Sequence, residues 1–577
     1  MLVRPSPVRR SPPARWIIFA TAAAAGVCVV VLLLMLTGGP PAEQAAAQRF
    51  VAAWSQRDFA AMHAELTPDD QRAMPLQRFV ASLRKAATTA TATAFRHGEV
   101  GGAKDDVVSV PMTVSTRIFG TLRAPLRLTF SGGDDDRRVA WSPSMVFPGL
   151  EVGERLTRST QLPRRADILA RNGSPLAQGQ KRASPIADVA DSIVGRLEPP
   201  PPERRGRLRE LGYPDDVRVG VSGLERVFEE RVAGRPGGEL RAGTRTLART
   251  LPRPATAVRS SIDPDVQRAA VAAQGAYLGG VAAVRPRTGE ILALAGIAFS
   301  GLQPPGSTFK IITLAGVLQH KLAGVNSKYP VETKAVIEGV DLQNANGESC
   351  GGTLRYSFAH SCNSVFAPLG ARLGPERLVK TAEQFGFNTD PGIAGAATST
   401  IPAAGEIGDG LAVGSSAIGQ GRVQATALQM AWVAATIAGR GRRPRLTLES
   451  GRPPKRTQVV PAGIARLVGS MMESVVRDGT GGAAAINNIR VAGKTGTAEL
   501  RNTTAPECTP SPDPAAAPCP APDPDDPTDT DAWFAAYAPA DEPRVAVGVL
   551  LVEAGGGGDT AAPVAQAVLR AGLKATR

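Results

Sequence analysis

From Trp16 to Leu36 the chain reads WIIFATAAAAGVCVVVLLLML, a segment with no charge and almost no polar group. It has about the length, roughly 20 residues, that a helix needs to cross a bilayer. Arg4, Arg9, Arg10 and Arg15 precede it, and the first acidic residue is Glu43. That bias places the N-terminus in the cytoplasm and everything after the run on the other side. A cleaved signal peptide has a shorter apolar core and a small-residue cleavage site; this run is long and ends in bulky residues. Val27 stands where a lipoprotein cleavage site needs a small residue before Cys28. The expectation is a single-pass protein of the cell membrane, with residues 1–41 as tail and anchor (helix about 16–37) and the rest extracytoplasmic.

At 577 residues the chain suits about three domains. Charged residues make up 20% and hydrophobic ones 43%, a globular balance. The net charge of +14 would suit nucleic acid, but the arginines are scattered, with no aromatic interleaving and no zinc-finger or RNP-type motif. No nucleic-acid partner is expected. Outside the cytoplasm disulfides persist. Cys508 and Cys519 share one Pro-rich loop and are the first candidate pair; Cys350 and Cys362 are the second. The cysteines and four histidines are too dispersed for a metal site, and no metal or other cofactor is expected.

Ala42 to Ala64 has apolar residues at helical spacing (Ala46, Phe50, Trp54, Phe59), and a second helix is expected near Leu76–Ala87. Then VVSVPMTVSTRIFG, LRAPLRLTFSGG and RRVAWSPSMVF alternate as antiparallel strands. Residues 42–150 thus form a compact α+β domain. Residues 151–255 are rich in Arg, Gly and Pro, contain the helix GLERVFEERVAG, and read as a pedestal or linker domain. From 256 to 577 a large domain follows. Strands are expected at Val281–Val284, Ile291–Leu294, Arg490–Glu499, Ala532–Tyr537 and Arg544–Glu553. Helices are expected at Gly306–Leu322, Ala425–Ala438, Pro461–Arg477 and Thr560–Ala571. A Pro- and Asp-rich insert at 505–531 has the composition of a loop with no core of its own.

Three motifs occur in order in the large domain. Ser307-Thr308-Phe309-Lys310 is an S-x-x-K behind Pro304-Pro305-Gly306, where a helix should start. Ser361-Cys362-Asn363 is an S-x-N, and Lys494-Thr495-Gly496-Thr497 is a K-T-G-T on a strand. Residues three apart on a helix share a face, so the Lys310 amine can approach the Ser307 hydroxyl. A serine is a weak nucleophile until a base takes its proton, and a lysine is that base only when burial or nearby positive charge lowers its pKa. Lys494 supplies such a charge. Backbone N–H groups at a helix start suit an oxyanion, and Gly496 would let a substrate backbone approach. A second S-x-x-K, Ser82-Leu83-Arg84-Lys85, has no such company and reads as ordinary helix surface. The signal lies in the ordered set, which is the signature of penicillin-binding proteins and class A β-lactamases.

Beyond the motifs the chain resembles the class B penicillin-binding proteins. GVSGLERVFEERVAGRPGGEL (Gly220–Leu240), AAVRPRTGEILALAG (Ala282–Gly296) and AIGQGRVQATALQMA (Ala417–Ala431) are similar to that family's segments, and 42–150 resembles the NTF2-like domain of its methicillin-resistance type. The resemblance implies a multidomain α+β protein: transmembrane helix, NTF2-like domain, pedestal of the dimerisation type, and a transpeptidase domain with helices on both sides of an antiparallel sheet. It implies a D,D-transpeptidase that cross-links peptidoglycan stem peptides and is acylated by β-lactams at Ser307. Lys310 would be the base, Ser361 and Asn363 the relay and amide holders, and Lys494, Thr495, Gly496 and Thr497 the carboxylate cradle. No glycosyltransferase region is seen before Leu150, so a membrane glycan polymerase of the shape, division or sporulation class is the implied partner. One departure is RRADILARNG (Arg164–Gly173), where Ala166 and Ala170 replace the family's Gly and Asp.

Four other readings compete. A β-lactamase shares the motifs but has roughly half this length and needs a water-positioning carboxylate; Glu406 lies in the right interval in the wrong surroundings. A D,D-carboxypeptidase would use the same acyl-enzyme. A silent β-lactam-binding scaffold would not need every hydroxyl and amine in place. No G-x-S-x-G elbow supports a Ser-His-Asp hydrolase.

Overall fold

The computed structural model describes residues 41–133, 136–499 and 530–576. Among these no helix is long and apolar enough to cross a membrane; the run Trp16–Leu36 lies outside them, as do Cys508, Cys519 and nearly all of the insert. The chain divides into two compact units.

The described residues of the first unit are 41–133, 136–163, 201–216 and 235–253. Helices α1 (Ala42–Gln56), α2 (Phe59–Ala64), α3 (Pro68–Ala73) and α4 (Leu76–Ala90) precede a four-stranded antiparallel sheet of β1 (Ala92–His97), β2 (Val107–Thr116), β3 (Thr121–Ser131) and β4 (Arg138–Ala140). The helix expected over 42–64 is two. Arg57 turns left-handed at φ 63°, and the Asp58 carboxylate caps α2 by accepting the Ala61 N–H. Strand β1 was absent from the sequence reading, because ATAFRH carries no alternation to announce it. Phe50, Trp54, Phe79 and alternate residues of β2 and β3 form the core. A second sheet joins β5 (Leu156–Gln161), β6 (Gly237–Ala242) and β7 (Arg245–Thr250), and helix α5 (Pro202–Glu210) belongs to the same unit.

The described residues of the second unit are 164–200, 217–234, 254–499 and 530–576. Residues 151–163 and 235–253 thus group with the first unit, and 164–200 and 217–234 with the second. The helix expected at GLERVFEERVAG is two short ones, Gly223–Val227 and Glu229–Val232. Near them, buried Glu225 and Glu229 face Arg165, and Glu225 also faces Arg182, at 2.6 Å each. Ala170, the departure from the family pattern, is fully buried in the unit's main core.

The centre of this unit is a five-stranded antiparallel sheet. Its strands are β8 (Gly279–Val284), β9 (Ile291–Gly296), β11 (Ala492–Glu499), β12 (Thr530–Ala538) and β13 (Val545–Leu551), ordered β9-β8-β13-β12-β11. A short strand β10 (Cys350–Thr353) lies outside it. Helices α6 (Pro264–Gln274) and α12 (Ala562–Ala575) cover one face, packing on Val281, Phe534 and Val547. The other face carries α7 (Lys310–Gln319), α8 (Leu354–Ala359), α9 (Asn363–Leu373), α10 (Ala427–Ala438) and α11 (Ala462–Asp478). Helix α10 lies directly on β13: a Cβ at Gly548 would come within 2.1 Å of the Ala427 carbonyl. From Lys310 to Leu318 every residue of α7 is buried, as a helix apolar all round requires. Strand β11 is an edge strand, and the residues on either side of the insert, Glu499 and Thr530, pair with each other.

Candidate active site

The site is built where three elements meet at the β11 edge. The helix expected from Gly306 opens as a 3₁₀ turn, Gly306–Phe309, and becomes α-helical only at Lys310. Gly306 makes this turn possible. Its φ is +50°, and a Cβ there would come within 2.6 Å of the Thr497 carbonyl. Its N–H donates to the Gly419 carbonyl at 3.0 Å, and Gly419, also left-handed at φ +79°, has no room for a side chain against the Gly306 carbonyl. The segment around Gly419 thus braces the turn that presents Ser307.

Ser307, Ser361, Asn363 and Thr497 are half-exposed, while Lys310 and Lys494 are fully buried. The Lys310 amine donates to the Ser361 carbonyl at 2.5 Å and to Asn363 Oδ1 at 2.6 Å, and lies 3.3 Å from Ser361 Oγ. Lys494 Nζ lies 2.8 Å from the same Ser361 Oγ and 3.1 Å from the Thr495 carbonyl. One hydroxyl therefore stands between two buried amines. The rings of Phe366 and Phe358 lie 5.7 Å from the two nitrogens, Lys310 and Lys494 respectively. Burial, reinforced by the charge of Lys494, holds the Lys310 amine well below the ordinary lysine range. Burial alone brings Lys494 down to about 7.

The expected approach of Lys310 to Ser307 takes a different form here. The amine is bonded to the middle motif, and the Ser307 hydroxyl has no hydrogen-bond partner among the described residues. The crowding at Gly496 is also of another kind: its Cβ position is hemmed by the Pro305 carbonyl and Trp533, each at 2.9 Å. That glycine lets the nucleophile turn sit against β11.

Two supports lie behind the motifs, and only the second is among the candidates the sequence offers. Thr480 shares a hydrogen bond with Thr495 Oγ1 at 2.6 Å, and its N–H donates to the Ala359 carbonyl, joining the end of α8 to β11. The signal was present as a glycine-rich turn: a Cβ at Gly479 would come within 2.2 Å of that same carbonyl. The second is the Cys350–Cys362 disulfide. It was ranked below Cys508–Cys519, yet it ties the middle residue of S-x-N to β10. Ser361 itself is left-handed, φ 63°, a conformation a non-glycine residue keeps only when its surroundings impose it.

Other candidates fall elsewhere. The Ser82 hydroxyl donates to the Phe79 carbonyl within α4. Glu406 is exposed, with its carbonyl bonded to Arg422. The His360 ring stacks on Tyr356 at 4.0 Å. Among the described residues no cluster suits a metal ion.

Comparison with known proteins agrees with this geometry. The penicillin-binding protein transpeptidase domain matches residues 279–570, and the NTF2-like N-terminal transpeptidase domain matches 42–154. The peptidoglycan D,D-transpeptidase PbpA of Mycolicibacterium smegmatis is 32% identical over 383 residues, covering 55% of this chain and 72% of that protein. FtsI of Escherichia coli, also named a peptidoglycan D,D-transpeptidase, is 27% identical over 406 residues, 62% of this chain and 64% of FtsI. Among solved structures, penicillin-binding protein A of Mycobacterium tuberculosis in its imipenem acyl-enzyme complex superposes with a TM-score of 0.55 at 26% identity, over 71% of this chain and 98% of that one. With its three motifs gathered at one sheet edge beside an NTF2-like domain, the chain belongs to the penicillin-binding protein transpeptidases, in their class B form.

Proposed function

We propose that this peptidoglycan D,D-transpeptidase works through an acyl-enzyme on Ser307. The observation that carries the reading is Ser361 Oγ standing between Lys310 and Lys494, at 3.3 and 2.8 Å. A neutral lysine amine has two N–H groups and one lone pair. Lys310 uses two donors on the Ser361 carbonyl and Asn363 Oδ1, so its lone pair is left for a proton from a hydroxyl. Ser307 Oγ attacks the carbonyl of the penultimate D-Ala and its proton passes to Lys310. Ser361 Oγ, fed by Lys494, relays a proton to the departing amine of the terminal D-Ala as the peptide bond breaks. The N–H groups of Ser307 and Thr497 hold the oxyanion, and Lys494, Thr495 and Thr497 hold the terminal carboxylate. An amine of a second stem peptide then takes the acyl group, forming the cross-link and freeing Ser307. A β-lactam acylates the same oxygen by ring opening.

The test is intact-mass measurement after penicillin treatment, with peptide mapping. One adduct on Ser307, absent from Ser307→Ala, is expected; an adduct on any other residue overturns the assignment.

The membrane reading rests on the uncharged run Trp16–Leu36 and the arginines before it. A single-pass anchor with the catalytic domain outside follows from it, and a membrane glycan polymerase would supply the strands to be joined. A pedestal role for 151–255 rests on its Arg-, Gly- and Pro-rich composition, and a Cys508–Cys519 bridge on the Pro-rich loop the two cysteines share.

A further inference from the structure

The NTF2-like domain reads from its residues as a spacer, yet its unit has an open cavity of about 540 Å³, within the 300–1,000 Å³ range typical of ligand pockets. Its wall is aromatic: Trp54 from α1 and Phe95 from β1 stack at 5.0 Å and 28°, and Phe59 of α2 joins them. Its rim is cationic. Arg57 at the end of α1, Arg84 on α4 and Arg117 in the β2–β3 turn all line it, against one carboxylate, Glu210 of α5. Glu210 already faces Arg207 at 3.4 Å. Arg57 bonds to the Thr93 carbonyl, while the side chains of Arg84 and Arg117 have no hydrogen-bond or ion-pair partner among the described residues.

Three arginines and one carboxylate line this concave, partly aromatic wall, and a low-dielectric wall concentrates the field of charges beside it. An anion is favoured in such a field, and arginine's planar fork matches a carboxylate through two parallel hydrogen bonds. The aromatic wall adds a surface for a flat apolar face. We infer that this cavity binds a small organic anion carrying a ring, its carboxylate between Arg84 and Arg117 and its ring against Phe59 and Phe95. An acidic sugar and an aromatic acid share that chemistry.

The experiment uses the full chain and isothermal titration calorimetry. The probes are N-acetylmuramic acid and 1-naphthoate as anions, with N-acetylglucosamine and 1-naphthalenemethanol as neutral partners. At least one anion should bind, its neutral partner on the order of tenfold more weakly, because a hydrogen bond to a charged group carries that much discrimination. The double variant Arg84→Ala/Arg117→Ala should lose binding by a similar factor while keeping its thermal unfolding profile and its penicillin adduct. Which anion binds identifies the source. Failure of both anions, equal binding of a neutral partner, or unchanged binding by the folded variant each overturns the inference. The unchanged penicillin adduct separates any such failure from a failure of the Ser307 reading.

Discussion

Replacing Lys494 by Met tests the electrostatic logic of the site. Both amines touch Ser361 Oγ, at 3.3 and 2.8 Å, so they lie no more than about 6 Å apart. At an effective dielectric constant of about 20, two unit charges at that distance repel by about 3 kcal/mol, enough for the charge on Lys494 to be felt in the titration of Lys310. Lys310 must be neutral to accept a proton, so acylation rises as pH climbs through its depressed pKa. Lys494 must be charged to act, so the rate falls as pH passes about 7. In Lys494→Met the falling limb should vanish. The rising limb should move to higher pH, since the charge that helps depress Lys310 is gone. Burial is the larger cause of that depression and stays in place, so the limb should stop well short of the ordinary lysine value. The assay is the second-order rate of Ser307 acylation by a fluorescent penicillin from pH 5 to 10, comparing profile shapes because the variant will be slow. A rising limb that stays where it was would refute the reasoning, and so would survival of the limb near pH 7.

Two further outcomes concern the scaffold. Gly306→Ala must place a methyl within 2.6 Å of the Thr497 carbonyl at a left-handed φ; a loss of about 1–3 kcal/mol in the unfolding of the catalytic unit and slower acylation are expected, measured by thermal melting and adduct formation. The double variant Cys350→Ser/Cys362→Ser opens a loop with a sequence separation of 12. It should destabilise the unit by about 3 kcal/mol, read as a lower unfolding temperature, with acylation weakened because Ser361 and Asn363 flank Cys362.

Much of the catalytic unit is visible in the sequence because its elements carry their own signals. The K-T-G strand, the strand pair around Arg287-Thr288-Gly289 and the helix Ala427–Ala438 lie within two residues of their expected places. The set of motif residues is legible because each has a chemical reason for its type. What is not legible depends on long-range contacts. Nothing local says that Ser361 Oγ will sit between Lys310 and Lys494, or that Gly496 must yield to Pro305 rather than to a ligand. The Cys350–Cys362 pairing is of the same kind: β10 and the turn before α9, brought together by the fold, put Cys350 against Cys362, and local composition carries no signal of that meeting. The break at Arg57–Asp58 was readable after the fact, as an Asp cap in front of FAAM, but continuous helical spacing across it masked the signal.

The strand order also bears on how the molecule comes to be made. Strand β8 pairs with β13, so Gly279–Val284 meets Val545–Leu551, and β13 alone joins the early hairpin to the pair that carries Lys494. A chain still being synthesised holds Ser307, Ser361 and Lys494 long before Val545 exists, yet its sheet is then in two pieces. The central strand position of the sheet is filled last, across a large loop closure. Reactivity toward a penicillin should therefore appear late and all at once during synthesis, which makes acylation a marker of finished chains and protects growing ones from the drug.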